Sequence, residues 1–322
     1  MRAVRFERTG GPEVLDLVDI ETPAPGPGQV LIRHQAIGIN FIDTYQRSGL
    51  YPVRLPSPLG GEAAGVVEAV GEGVTRFRVG DLAAYAGGLG AYAELNVLPA
   101  GRCVKPPPSV DARTAAAALL KGMTVEFLLT RCHAVQAGEI ILVHAAAGGV
   151  GQIMVQWAKA LGAEVIATVG SHDKADRARS LGADHVILYR TEDVAAEVKR
   201  ITGGKGVPVA YDSVGAATFD GTLGSLARRG LFVSFGNASG PAPPVEPQRL
   251  SRGGSLYFTR PTLFDYIVTT EELDASAAAL FGMITSGKVR IEIGQEFALA
   301  DVRRAHEALE ARATSGSSLL IP

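Results

Sequence analysis

The strongest chemical signal in the sequence is a loop of small residues between two apolar segments. Ile140–Ala145 is predicted to be a strand, and the run Gly148-Gly-Val-Gly151 opens a predicted helix, Val150–Leu161. A strand, a glycine turn and a helix in this order bring backbone N–H groups and the positive end of a helix dipole to a pyrophosphate. The segment therefore predicts a dinucleotide site, with an ordinary strand-to-helix turn as the alternative. Ala146 stands in the first glycine place, which requires a negative φ there.

The end of the next predicted strand, Glu164–Val169, bears on which dinucleotide binds. NAD sites carry Asp or Glu at this point, whereas here the chain continues with Gly170-Ser171. Ser171, Lys174, Tyr189 and Arg190 offer hydroxyls and cations that suit a 2′-phosphate. The alternative for Lys174 is a solvated helix residue. Because no carboxylate stands at the strand tip, the sequence favours NADPH over NADH.

Residues that ligate metals are sparse. Cys103 and Cys132 form no C-x-x-C pair, and His34, His133 and His144 show no ligand spacing. His144 lies in an apolar strand and is predicted to be a buried core histidine. The sequence therefore predicts no metal site.

These residues need a scaffold, and the pattern of the chain indicates two parts. The first third mixes β-branched residues with glycine and proline turns, which predicts an irregular, mostly antiparallel β domain. From about residue 138, short apolar strands alternate with amphipathic helices, which predicts a parallel sheet covered by helices. The predicted early strands are Arg2–Phe6, Leu15–Asp19, Val30–Ile39, Ala64–Val70 and Asp81–Ala86; the predicted helices outside the alternating part are Val110–Ala118, Thr124–Arg131, Leu273–Ser286 and Asp301–Ala313.

Composition limits the class of protein. The 322 residues, 47% of them hydrophobic, suffice for about two domains. A net charge of −2 without a basic stripe gives no support to a nucleic-acid partner. No run of about 18 apolar residues predicts a membrane span, and the first residues lack the apolar run of a signal peptide. With only 2 cysteines, a reducing, cytoplasmic setting is expected.

Seven stretches spread along the chain carry a family resemblance. They are Gly38-Ile-Asn-Phe-Ile-Asp-Thr-Tyr45, Arg47-Ser-Gly-Leu-Tyr-Pro52, Lys121-Gly-Met-Thr124, Ala145-Ala-Ala-Gly-Gly-Val-Gly151, Tyr211-Asp-Ser-Val-Gly215, Val233-Ser-Phe-Gly-Asn237 and Gly316-Ser-Ser-Leu-Leu-Ile-Pro322. With them the sequence resembles the zeta-crystallin-like quinone oxidoreductases, the zinc-free branch of the medium-chain dehydrogenase/reductase superfamily. The resemblance implies an α/β fold with two domains. These are a GroES-like β-rich catalytic domain (residues 1–122 and 264–322) and a doubly wound Rossmann domain that binds NADP (residues 123–263).

The resemblance also explains the lack of metal ligands. Zinc-dependent members of the superfamily hold their catalytic metal with an early cysteine and a Gly-His-Glu motif. Asn40 takes the cysteine place here, Gly61 takes the histidine place, and Glu62 by itself cannot hold zinc. The implied activity is a zinc-independent NADPH:quinone oxidoreductase that transfers hydride from NADPH to a quinone in the interdomain cleft.

Candidate site residues follow from the resemblance, with a chemical reason for several. Asn40, Tyr45 and Tyr51 are the catalytic candidates: the tyrosine rings can stack near a flat quinone, and Asn40 can hydrogen-bond without ionising. The alternative for the tyrosines is a packed loop core, and Asp43 with Arg47 is predicted to form an i, i+4 ion pair. For Arg260 and Arg312 the alternative is surface ion pairing. The predicted cofactor contacts are Asn40, Asp43, Tyr45, Lys121, Thr124, Gly148, Gly149, Val150, Gly151, Gly170, Ser171, Lys174, Tyr189, Ser213, Phe235, Gly236, Asn237, Phe258, Arg260 and Arg312.

Two other functions stay open at this stage. An NADPH-dependent alkenal or enone double-bond reductase would share fold and cofactor and differ only in its pocket. A cofactor-binding structural or RNA-binding protein of the crystallin type is the alternative from another class. The predicted strand within Gly254–Thr262 would lie at a sheet edge, where it could pair with its copy in a homodimer.

Overall fold

The computed structural model describes all 322 residues and divides the chain into two compact units. The first unit contains Met1–Met123, Ile267–Ser286 and Ile291–Pro322, and the second contains Thr124–Tyr266 and Gly287–Arg290. None of the helices combines the length and the apolar character that crossing a membrane would require.

The strands, in chain order, are β1 (Arg2–Phe6), β2 (Asp16–Asp19), β3 (Gln29–Ile39), β4 (Ser57–Pro58), β5 (Glu62–Val70), β6 (Leu82–Ala86), β7 (Leu95–Pro99), β8 (Cys103–Val104), β9 (Ile140–Val143), β10 (Glu164–Val169), β11 (His185–Leu188), β12 (Val207–Asp212), β13 (Leu226–Ser234), β14 (Tyr257–Thr259), β15 (Ile293–Ala298) and β16 (Ser317–Ile321). The helices are α1 (Phe41–Ser48), α2 (Ala112–Phe127), α3 (Gly149–Ala160), α4 (His172–Ser180), α5 (Val194–Ile201), α6 (Phe219–Ser225), α7 (Pro247–Arg252), α8 (Thr270–Thr285) and α9 (Val302–Glu310).

The first unit is built on two sheets. The larger one has seven strands in the order β15-β16-β3-β5-β6-β8, with β7 also paired to β3, and a three-stranded sheet has the order β2-β1-β4. Only the β15–β16 pair is parallel, which confirms the predicted, mostly antiparallel β domain. The two central strands approach so closely that a Cβ on Gly65 would lie 1.9 Å from the carbonyl oxygen of Arg33. Glycine is therefore required at this crossing.

Several elements of the first unit differ from the sequence prediction. Helix α1 and strands β4, β7, β8 and β15 were not predicted. The two predicted helices Val110–Ala118 and Thr124–Arg131 were wrong as separate elements, because α2 runs unbroken from Ala112 to Phe127 and continues as a π-helical turn, Leu128–Cys132. Gly122 does not break the helix. A Cβ there would lie 2.2 Å from Leu280, so this glycine lets α8 pack closely against α2.

The second unit confirms the predicted parallel sheet. Its six strands have the order β11-β10-β9-β12-β13-β14, and every pair is parallel. Strand β13 begins at Leu226, five residues before the predicted Leu231, and β14 lies at the sheet edge as predicted. Buried apolar residues such as Leu142, Ile166 and Phe232 form the core of the unit.

Candidate functional site

The glycine-rich loop has the geometry that dinucleotide binding needs. Strand β9 ends at Val143, Gly148 is the N-cap of α3, and the first N–H groups of that helix are left for a ligand. A Cβ on Gly151 would lie 2.3 Å from the carbonyl oxygen of Ala145, so only glycine allows this approach. Ala146 keeps a negative φ, as its place requires, whereas the preceding residue, Ala145, takes the left-handed conformation at φ 52°.

A cluster of buried polar side chains lies next to this loop. The His144 ring, directly before the loop, lies 2.8 Å through Nδ1 from the Thr168 hydroxyl on β10. Its Nε2 lies 2.9 Å from the Thr222 hydroxyl on α6. Burial lowers the pKa of His144, so the ring is neutral. The predicted core histidine is thus confirmed, and its hydrogen bonds join three elements beneath the loop.

Asp212, at the end of β12, accepts four hydrogen bonds within that cluster and the turn beside it. Its Oδ1 accepts backbone N–H groups from Val214 (2.7 Å) and Gly215 (3.0 Å). Its Oδ2 accepts the hydroxyls of Thr218 (2.7 Å) and Thr222 (3.0 Å). The fully buried carboxylate therefore fixes the turn after β12. This role of Asp212 was not predicted, although an acid that ends an apolar strand in a Tyr-Asp-Ser-Val-Gly run was a visible signal.

Predicted cofactor contacts meet at the carboxyl ends of β12 and β13. Arg260 donates from Nη1 to the carbonyl oxygen of Gly236 at 3.2 Å. A Cβ on Gly236 would lie 2.4 Å from the carbonyl oxygen of Ser213, so the two strand ends touch. Phe235 and Asn237 flank this glycine in the chain. Ligands bind beyond such strand ends in parallel sheets.

Phe258 has a structural environment of its own. Its half-buried ring lies 5.1 Å from the Phe232 ring and 6.3 Å from the Phe219 ring, measured between centroids. These distances are typical of aromatic packing. The cofactor contact inferred for Phe258 stays a prediction.

The end of β10 has the corner expected for the 2′-phosphate. Ser171 is the N-cap of α4, and its hydroxyl accepts the backbone N–H of Lys174 at 3.4 Å. A Cβ on Gly170 would lie 3.0 Å from the Tyr189 hydroxyl and 3.3 Å from Nε of Arg190, so both side chains reach across from the end of β11. A hydroxyl, a guanidinium and a helix N-terminus thus surround a glycine with no carboxylate at the strand tip. These residues fit an adenosine 2′-phosphate.

In the first unit, Asn40 directs its side chain onto Glu62. Asn40 is extended, at φ −135°, and precedes α1 as its N-cap. Its backbone N–H donates to Asp43 Oδ2 at 2.8 Å, which closes the first turn of the helix. Its side-chain amide donates from Nδ2 to Glu62 Oε2 at 2.9 Å.

Glu62 is fully buried and committed to three donors. Besides Asn40, Lys121 donates from Nζ to Oε2 at 2.9 Å, and the backbone N–H of Leu120 donates to Oε1 at 2.7 Å. No group of three His, Cys, Asp or Glu side chains that could hold a metal is present in the chain. With Asn40 and Gly61 beside it, this carboxylate belongs to a donor set that does not fit zinc.

A directed chain of hydrogen bonds leads from Asp43 to the C-terminal helix α9. The Tyr92 hydroxyl donates to Asp43 Oδ2 at 2.8 Å and lies 3.1 Å from His306 Nε2. Arg47 lies 3.1 Å from His306 Nδ1 and 2.5 Å from Glu310 Oε1. Because a guanidinium only donates, His306 must accept at Nδ1 and carry its proton on Nε2. Burial lowers the pKa of His306 to about 3, so the ring is neutral.

The predicted Asp43–Arg47 ion pair was wrong. Arg47 turns away to Glu310, His306 and the carbonyl oxygen of Gly10 instead. Asp43 is left fully buried with no cationic partner, and its Oδ1 has no hydrogen bond. Burial therefore raises the pKa of Asp43 to about 7, against the hydrogen bonds to its Oδ2, which lower it.

The two tyrosines predicted as catalytic are neighbours. The Tyr45 and Tyr51 rings pack edge to face with centroids 5.3 Å apart, and Tyr51 donates its backbone N–H to the carbonyl oxygen of Tyr45 at 3.0 Å. Tyr45 is buried and Tyr51 is half-buried. Thr124 lies within α2, and Arg312 follows α9 at φ 57°. The cofactor contacts inferred for Thr124 and Arg312 stay predictions.

Comparison with known proteins places the chain in a family. An alcohol dehydrogenase GroES-like domain matches residues 26–108, and a zinc-binding dehydrogenase domain matches residues 149–281. A quinone oxidoreductase of Pseudomonas aeruginosa is 54% identical over 100% of this chain and 99% of its own length. The chain belongs to the quinone oxidoreductase family of the medium-chain dehydrogenase/reductase superfamily.

Structures of other family members agree with this assignment. The crystal structure of Escherichia coli quinone oxidoreductase complexed with NADPH matches 100% of both chains with a TM-score of 0.98 and 49% identity. A 2-haloacrylate reductase of Burkholderia is 42% identical over 99% of this chain and 98% of its own length. The GroES-like and Rossmann fold predicted from the sequence is thereby confirmed.

Proposed function

We propose that the protein is an NADPH-dependent quinone oxidoreductase that works without a metal ion. The observation that carries the proposal is full-length family membership combined with a Glu62 carboxylate that is engaged by an amide, an ammonium and a backbone N–H. Quinones suit such a site, because they accept hydride without a Lewis acid.

In this proposal the second unit binds the cofactor. The N-terminus of α3, opened by Gly148-Gly-Val-Gly151, holds the pyrophosphate, and the corner of Gly170, Ser171, Tyr189 and Arg190 holds the 2′-phosphate. Bound NADPH supplies the hydride. Arg260, fixed by the carbonyl oxygen of Gly236, keeps the strand ends in shape for the rest of the cofactor.

The first unit would receive the acceptor. The Tyr45–Tyr51 pair offers flat aromatic surface for a quinone ring, and Asn40 is oriented by Glu62 so that it cannot rotate freely. These residues position the acceptor and exclude water, while the transfer itself is the chemistry of the cofactor.

The test is a comparison of cofactors, acceptors and variants. Purified protein should oxidise NADPH when quinones are added, at the same rate with and without a chelator. Arg190→Ala should lower kcat/KM for NADPH about tenfold and leave NADH unchanged, because it removes one charge-assisted hydrogen bond. Lys199→Ala, an exposed cation on α5, is the matched control. Equal losses with both cofactors would contradict the assignment of the 2′-phosphate corner.

An enone or haloacrylate double-bond reductase is the second candidate. It is favoured by one observation, the relative named 2-haloacrylate reductase at 42% identity. Faster NADPH oxidation with conjugated alkenals or 2-haloacrylates than with any quinone would establish it. If NADPH binds but no acceptor is reduced, the binding-protein interpretation gains support instead.

We also propose that two copies pair through β14 in the reducing setting of the cytoplasm. The strand is the free edge of the six-stranded sheet, and Tyr257 on it is 62% exposed. Both cysteines are unpaired, as in proteins of reducing compartments. Light scattering of the protein and of a Phe258→Pro variant, which interrupts the edge, tests the dimer.

A further inference from the structure

The ammonium group of Lys121 is buried and incompletely satisfied. The residue is 5% exposed, and Nζ makes one hydrogen bond to a protein atom, Glu62 Oε2 at 2.9 Å. An ammonium carries three N–H donors, so two have no protein acceptor. Buried donors are rarely left unpaired, and the exceptions call for a ligand or an ordered water.

The Glu62 carboxylate holds the ammonium group of Lys121 in place. Both oxygens of Glu62 are engaged, Oε1 by the backbone N–H of Leu120 and Oε2 by Asn40 and Lys121. The backbone of Gly38 lies close to this carboxylate, because a Cβ on Gly38 would be 2.2 Å from Glu62 Oε2. The carboxylate is thus engaged by three donors and fixes the ammonium, while two of the three N–H donors of the ammonium have no protein acceptor.

We propose that Lys121 is a catalytic residue whose remaining N–H groups bind the carbonyl oxygen of the acceptor. This inference rests on the proposed function. As the acceptor ring takes up the hydride, the carbonyl π pair moves onto the oxygen, and the ammonium stabilises that negative charge. The oxygen then takes a proton from a solvent water, the hydroxide formed passes to bulk solvent, and no proton leaves Lys121. Lys121 thus supplies the electrostatic stabilisation that a metal ion gives in zinc-dependent relatives, and Glu62 positions it.

The first test measures oxyanion binding without turnover. The probe is 4-nitrophenol, whose phenolate form absorbs visible light and resembles the charged reduced acceptor. Wild type should bind the phenolate better than the phenol, both alone and with NADP⁺. Because Lys121→Met alone would strand the buried Glu62 carboxylate, the variant is Lys121→Met with Glu62→Gln, which removes both charges and keeps their volume. It should lose the preference for the phenolate both with and without NADP⁺, so that the loss is independent of the cofactor.

The second test separates catalysis from structure. The double variant should lower kcat about 100-fold, the scale of losing an oxyanion donor. Its rate should also depend more steeply on the electron affinity of the quinone across a series of substituted quinones. Lys105→Met, which removes an exposed lysine paired with Asp81, is the control and should change neither.

The outcomes are distinguishable. An equal loss for every quinone, or phenolate binding that survives in the double variant, would overturn the role of Lys121. If the wild type reduces no acceptor but binds the phenolate, and the double variant does not bind it, the proposed function is wrong and the oxyanion site is still supported.

Discussion

Replacing the buried carboxylate of Asp43 by an amide should change how stability depends on pH. Asp43 is fully buried, makes no ion pair and has one oxygen without a partner. Its pKa rises from the ordinary 3.8 to about 7, mainly through burial. The folded state therefore binds the proton more tightly than the unfolded state does. The stability that this proton contributes is complete below about pH 4 and is lost as the pH rises through about 7.

The magnitude follows from the shift. Each pKa unit corresponds to about 1.4 kcal/mol, so ionising Asp43 costs the fold about 4 kcal/mol between pH 4 and pH 7. Two buried histidines act in the opposite direction over the same range. Burial lowers the pKa of His34 to about 4 and of His306 to about 3, so their contributions are lost as the pH falls below 6.5. The pH dependence of wild-type stability therefore contains both effects. Only the difference between the wild type and Asp43→Asn isolates the contribution of Asp43.

The assay is urea denaturation of wild type and Asp43→Asn from pH 4 to pH 8. Between pH 4 and pH 7 the unfolding free energy of the variant should increase by about 4 kcal/mol relative to that of the wild type. The reason is that asparagine keeps the hydrogen bonds from Asn40 and Tyr92 but does not titrate. Asp16→Asn, at an exposed position on β2, is the control and should not diverge in this way. Parallel curves for wild type and Asp43→Asn would refute the reasoning.

Three further substitutions test the hydrogen-bond networks and the loop. Tyr92→Phe should cost about 1–3 kcal/mol of unfolding free energy, because it strands the buried Nε2–H of His306; a change below about 0.5 kcal/mol would contradict the directed chain. Thr222→Val should cost about 1–3 kcal/mol through Asp212, measured by urea denaturation, while an unchanged midpoint would mean that the cluster is dispensable. Gly151→Ala should raise the Kd for NADPH more than tenfold in a fluorescence titration, since its Cβ would clash with the loop backbone at 2.3 Å; unaltered affinity would show that the loop can shift.

Structural features that depend on consecutive residues could be predicted from the sequence. Strand β9, the glycine loop and α3 appeared at the predicted place, because the apolar run, the glycines and the helix follow one another directly. Helix α1 escaped prediction from periodicity because it has only eight residues. Its ends were nevertheless marked by Asn40 and Asp43 at the start and by Gly49, at φ 85°, after the last turn.

Partners far apart in the chain were not predictable. The ion pair expected between Asp43 and Arg47 followed a local i, i+4 rule, but tertiary contacts supplied better partners for both. Tyr92 lies 49 residues from Asp43 and 214 residues from His306, and no periodicity connects these positions.

The sequence by itself determined the class of cofactor site, the absence of a zinc ligand set and the parallel sheet, since glycine, histidine, cysteine and apolar patterns are properties of the residues themselves. Only the tertiary structure decided which groups surround Glu62. Lys121 on α2 and Glu62 at the start of β5 stand 59 residues apart, and only the fold brings Nζ within 2.9 Å of Oε2. Burial then raises the pKa of Asp43, which makes no ion pair, from the ordinary 3.8 to about 7.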